Sequence, residues 1–128
     1  MRYLLDTCVF LWLCAEPKRL SPKVKKLFAG DEAELILSDV AVLEISLKWL
    51  SGKLELPSPP RSWITEQTQI WDASSIPISR EAIYRSSELP AHHRDPFDRL
   101  LVSTALESSL AIVTPDKWIH RYPVQWIW

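Results

Sequence analysis

The sequence predicts an α/β domain with a mostly parallel sheet, and three observations carry the prediction. Short β-prone runs alternate with segments of helical period along the whole chain. The helical segments are punctuated at both ends by capping residues, prolines and glycines. The length of 128 residues is that of one domain, 1–128, with no repeat, low-complexity tract or charge block to divide it. The Pro57-Ser58-Pro59-Pro60 stretch is too short to serve as an interdomain linker.

Taken in order, β-prone runs end at Leu5, Leu37, Ile78 and Thr114, with a last one over Val124–Trp128. A helix is expected to begin near Thr7. Ser21-Pro22 supplies a cap and a proline at the first helical position, and that helix runs to Gly30. Ser38 or Asp39 caps a helix from Val40 to Ser51, stopped by Gly52. Ser58 before Pro59 opens one towards Gln69, Ser79 one towards Glu88, and Asp95-Pro96 one to about Ser109. The result is βααβααβααβ with a short final strand, the alternation that gives a parallel sheet flanked by helices.

Composition narrows the function. Apolar residues make up 47% and charged residues 24%, so the chain can bury a core and disorder is excluded as its main state. The two glycines, Gly30 and Gly52, cannot build a phosphate-cradling loop, so any phosphate chemistry belongs to side chains. Cys8 and Cys14 make no disulfide framework, and a reducing cytoplasm is the expected location. Asp6 interrupts what would be a signal's apolar region, and no apolar run approaches the ~18 residues of a membrane span. The seven tryptophans are scattered rather than periodic and read as core and interface rather than as a stacking platform.

In open parallel sheets the functional crevice lies at the carboxyl ends of the strands. Asp6 directly follows the first run, and Asp116 follows Ala111–Thr114 by two residues. Asp98 falls on the line of Leu101 and Ala105 and extends that helix's apolar stripe at its rim end. Glu44 lies about 40° from Val40 and about 60° from Leu47 around its helix, at the border of the buried face. Four carboxylates converging on one rim would repel one another unless a cation held them, and such ligands suit Mg²⁺ or Mn²⁺ rather than zinc. Each acid also has a plain reading. Asp6 would cap a helix, Asp98 complement a helix dipole, Glu44 pair with Lys48 four residues on, and Asp116 serve a turn. Four independent coincidences on one rim make the weaker account. Among the basic residues, Arg94 and Arg99, with the histidines at 92 and 93, sit where a loop near that rim could meet phosphates. Metal ligation by histidine would need a further histidine at ligand spacing, and only His120 remains.

The stretches Leu4-Leu5-Asp6-Thr7, Leu37-Ser38 with Glu44-Ile45 and Lys48, His92-His93-Arg94-Asp95-Pro96-Phe97-Asp98-Arg99-Leu100-Leu101, and Val113-Thr114-Pro115-Asp116 together resemble a PIN domain. More narrowly, the chain is similar to the toxin ribonucleases of bacterial VapBC pairs, over essentially its whole length. The resemblance implies a three-layer α/β/α sandwich and a metal-dependent endoribonuclease held inactive by a cognate antitoxin. It carries Asp6, Glu44, Asp98 and Asp116 over as the acidic quartet, with Asp6, Asp98 and Asp116 on the metal. Thr7 and Thr114 match supporting hydroxyls, Ser38 matches the serine opening the second helical segment, and Asp95 is a helix cap or a supporting group. Two departures stand out. Cys8 replaces a common histidine, and Pro115 stiffens the position before the last acid.

Two other classes compete. A receiver-like phosphoacceptor also places acids at strand ends, but it needs an acidic pair after the first strand and an aspartate closing a middle strand, where this chain has Asp6 alone and Ser38 and Ser79. A catalytically idle binding module fits the net charge of −1, poor for holding a polyanion. Four mutually repelling acids argue against it. For protein partners, Trp49 lies nearly opposite Val40 on its helix and Trp63-Ile64 follow a proline-bounded start, so these helices are expected to offer apolar surface to an antitoxin peptide. The alternative is burial within the domain or a homodimer.

Overall fold

The computed structural model describes residues 1–128. Five strands, β1 (Arg2–Leu5), β2 (Glu34–Ser38), β3 (Ser74–Ile76), β4 (Ala111–Val113) and β5 (Trp126–Ile127), form one sheet in the order β3-β2-β1-β4-β5, and every neighbouring pair is parallel. Six α-helices connect them: α1 (Thr7–Ala15), α2 (Pro22–Ala29), α3 (Asp39–Leu50), α4 (Pro60–Ile70), α5 (Arg80–Glu88) and α6 (Pro96–Ser108).

Strand alternation sends side chains to opposite faces, and both faces are covered. Leu5, Leu35, Leu37 and Val113 face one core, completed by Val9, Phe10 and Leu13 of α1, Ala41 and Ile45 of α3 and Trp63 of α4. Leu4, Ile36 and Ile112 face the other, under Leu101, Val102 and Ala105 of α6. The arrangement is a three-layer α/β/α sandwich.

The capping signals operate at four helix starts. Ser21, Ser38 and Ser79 accept hydrogen bonds from Val24, Val40 and Ala82 amides, and Asp95 accepts from Phe97 and Asp98. Three expectations are corrected. The third strand stops at Ile76 rather than Ile78, because Pro77 has no N–H for the ladder. α4 begins at Pro60 behind Pro59, one residue later than the Ser58 cap would place it. Trp63 and Ile64 do not face outward: both are buried, and Trp63 meets the Phe10 ring edge-on at 5.9 Å.

After β3 the chain returns to the other side of β1, so the direction of strand addition reverses between β1 and β4. The chain leaves β1 into α1 but leaves β4 into the turn that leads to β5, and the two carboxyl ends open a crevice at that switch point.

Candidate active site

Asp6 leaves the end of β1 as the residue before α1, its amide still in the ladder through a 3.1 Å bond to the Val113 carbonyl. Its side chain forms no cap to α1. Instead Asp6 Oδ2 accepts the Thr114 hydroxyl at 2.6 Å. Thr114 Oγ1 in turn accepts the Asp116 amide at 3.0 Å, so one hydroxyl fixes both the first acid and the backbone of the last.

Glu44 arrives from the second turn of α3. It is 7% exposed, and Lys48 donates to its Oε2 at 2.7 Å. Asp98 sits in the first turn of α6, where Asp95 caps the helix. Asp6, Glu44, Asp95, Asp98 and Asp116 line one open cleft with Lys48, and Thr7 and Cys8 contribute to the same wall. The four predicted acids are therefore brought together. Ser38 is not among the lining residues: its hydroxyl caps α3.

The electrostatics record the crowding. Burial, then the charges of Asp6, Asp95, Glu44 and Asp116, push the Asp98 carboxyl up to about 8. Burial likewise raises Asp6, with Glu44 and Asp116 adding to the rise and the Thr114 bond opposing it. Lys48 is raised chiefly by its hydrogen bond to Glu44. The Cys8 thiol is driven upward by burial and by Asp6, so it is an inert wall residue. Carboxylates that resist ionising beside one another suit a hard divalent cation, which would neutralise them in place.

The residue whose role sequence reasoning misplaced, with the phosphates rather than the acids, is His93. Its Nε2 lies 2.9 Å from Asp116 Oδ2 and 3.0 Å from Asp98 Oδ2, and its side chain is 14% exposed. His93, Asp98 and Asp116 could be taken for a metal triad. The second ring nitrogen decides against that reading. Nδ1 accepts the Asp95 amide at 3.1 Å, so in the neutral ring the proton is on Nε2. A ligating histidine has the opposite arrangement, donating its other N–H outward. His93 is thus a donor that bridges two acids. The turn in which a ring bonds the amide two residues on, just before a helix cap, was the available signal.

Asp116 meets both of its expected descriptions. Oδ1 accepts the Trp118 and Ile119 amides at 2.8 and 3.3 Å, the turn role, while Oδ2 faces His93 and the cleft. Pro115 has not turned it away.

Arg99 is corrected. Its guanidinium donates to the carbonyls of Ser86, Leu89, Pro90 and His93 and to the Tyr122 hydroxyl, at 2.7–3.3 Å. A fork committed to five acceptors has no geometry left for phosphate. Arg99 and Tyr122 together hold the 89–93 loop, since the Tyr122 hydroxyl also donates to Pro90 O and accepts from the His93 amide. Arg94 is exposed, forms no ion pair, and stands beside the acid cleft.

Comparison with known proteins adds the following. The family model described as PIN domain matches residues 3–125. Ribonuclease VapC22 of Mycobacterium tuberculosis is 33% identical over 129 residues, spanning 94% of this chain and 92% of that protein. Among solved structures, VapBC2 from Rickettsia felis bound to a DNA fragment from their promoter superposes with a TM-score of 0.71 at 16% identity, covering 99% of this chain and 98% of that one. FitAcB from Neisseria gonorrhoeae gives 0.64 at 20% identity, over 98% and 96%.

Proposed function

The chain belongs to the PIN domain family, and from that premise we propose that it is a metal-dependent endoribonuclease, the toxin of a toxin-antitoxin pair. The observation that carries the reading is the convergence of Asp6, Glu44, Asp98 and Asp116 on one cleft at the sheet's switch point. Its likeness to a ribonuclease over nearly the whole length of both chains supports it.

In this reading Asp6, Asp98 and Asp116 hold Mg²⁺ or Mn²⁺. The ion would lower the pKa of a water and neutralise charge building on the phosphoryl oxygens. The protein's own work is positional. Thr114 fixes the rotamer of Asp6, and His93 holds Asp98 and Asp116 together. Lys48 holds the Glu44 carboxylate in place through its 2.7 Å hydrogen bond, so that Glu44 can orient the attacking water by accepting a hydrogen bond from it. Arg94 is the cation free to meet a substrate phosphate. With water as nucleophile, the expected ends are 5′-phosphate and 3′-hydroxyl.

The antitoxin would cover α3, where Leu43, Leu47 and Leu50 are exposed along one side of the helix and Trp49 is exposed on the opposite side. These residues replace the surface around Trp63 that the sequence suggested.

The test is cleavage of RNA by the purified chain with Mg²⁺ or Mn²⁺. Activity abolished by chelation and by Asp6→Asn supports the proposal. Cutting that survives both overturns it.

A further inference from the structure

Beside the acid cleft lies a second one of about 490 Å³, lined by Ala91, His92, His93, Arg94, Asp95 and Trp118. The two share Asp95, and His93 stands in the wall between them, its Nε2 on the acids. The second cleft contains an open aromatic surface. Trp118 is 51% exposed, and the Arg121 guanidinium lies 4.7 Å from its ring centroid, a cation–π contact that backs one side of the indole. Its backbone is fixed as well, because the Trp118 amide donates to Asp116 Oδ1 at 2.8 Å. The Cα atoms of Trp118 and Asp116, whose carboxylate lines the acid cleft, are therefore at most about 7 Å apart.

We propose that this cleft receives the nucleobase flanking the scissile phosphate, stacked on the Trp118 indole, with Arg94 on the neighbouring phosphate. The inference rests on the nuclease reading above and adds a substrate-binding subsite to it. Base stacking on an aromatic face is sequence-tolerant and needs no deep pocket, which suits a cleft this open. The charge of the lining favours RNA here over a cleft of equal volume elsewhere on the domain. That one lies at the amino ends of the strands and is lined by Asp31, Glu32, Glu34 and Asp72, which would repel a polyanion. Whereas the sequence alone assigned all the tryptophans to core and interface, Trp118 is the one whose surroundings combine exposure, a backing cation and adjacency to the acids.

The experiment uses the full chain carrying D98N in buffer containing Mn²⁺, where it should bind RNA without cutting it. The probes are two single strands of equal backbone charge, decauridylate and a base-free ribose-phosphate decamer, followed by fluorescence anisotropy. Decauridylate should bind about 5- to 100-fold more tightly than the base-free strand, the increment expected for a stacked base. Trp118→Ala should erase that increment while leaving affinity for the base-free strand unchanged, which also shows that the variant is folded. Trp118→Phe should retain it, and Arg94→Ala should weaken both strands alike. Equal binding of the two strands, or an increment that survives Trp118→Ala, overturns the subsite. If the parent chain cuts RNA in a chelator-sensitive manner when that happens, the nuclease reading stands. If the parent cuts nothing and D98N binds neither strand, both fall.

Discussion

Thr114 donates its hydroxyl to Asp6 at 2.6 Å across a separation of 108 residues, and this bond is where the two central strands become a site. The hydroxyl sets the carboxylate's rotamer and lowers its pKa against the burial that raises it. Thr114→Val keeps the shape and removes the donor. We expect a folded chain whose affinity for Mn²⁺ falls by about 10- to 100-fold, the usual cost of losing a group that orients a metal ligand. Thr114→Ser should recover most of it. Calorimetric titration with Mn²⁺ checks both.

Asp98 gives the protein a pH dependence of definite sign. Its carboxyl is raised to about 8 in the folded state from an ordinary value near 3.8. Between those values the folded chain keeps a proton that the unfolded chain has lost, so the stability of the ion-free protein should fall as pH rises from about 4 to about 8 and then level. Asp98→Asn should flatten that slope and abolish RNA cleavage with the fold intact. Denaturant unfolding at a series of pH values is the measurement. A slope identical in the parent and the variant would refute the assignment.

The same proton must leave when a cation arrives. Affinity for Mn²⁺ should rise by about tenfold per pH unit up to about pH 8, with one proton released per ion. Calorimetry in buffers of different ionisation enthalpy counts it.

His93 should act through Asp98 and Asp116 rather than on the metal. His93→Ala leaves the two acids repelling each other and should weaken Mn²⁺ binding by about 10-fold, whereas His93→Gln, which restores an N–H donor, should recover part of the loss. A direct ligand would not be rescued by an amide nitrogen donor.

Arg99→Ala removes the clasp on the 89–93 loop. We expect a loss of about 2–4 kcal/mol of stability, since several half-buried carbonyls lose a charged donor together, and Arg99→Lys should not restore it. Arg94→Ala should leave stability unchanged and reduce the salt slope of RNA binding by about one. Reversed outcomes for the two arginines would return Arg99 to the substrate.

The strands, the helix starts and the acids were readable because each obeys a local rule. Ser21, Ser79 and Asp95 bond amides two or three residues away, and Asp6, Asp98 and Asp116 sit at strand or helix ends that fold class alone locates. What escaped was decided by partners distant in sequence. Arg99 looks like a phosphate ligand until the carbonyls of Ser86 and Leu89 are brought under it, 13 and 10 residues away. Trp63 looks exposed until Phe10 covers it. His93 becomes a bridge between acids only when Asp116, 23 residues on, is brought beside Asp98.

The wall of the acid cleft carries five carboxylates and one ammonium, and that ammonium is already paired with Glu44. To an approaching polyanion such a cleft is a barrier, and each divalent cation bound there would lower it. Under the proposed function the cation would therefore bind first and the nucleic acid second. A chain without its ion would then be slow to bind RNA as well as slow to cut it, so the supply of divalent cation would set how many copies compete for substrate.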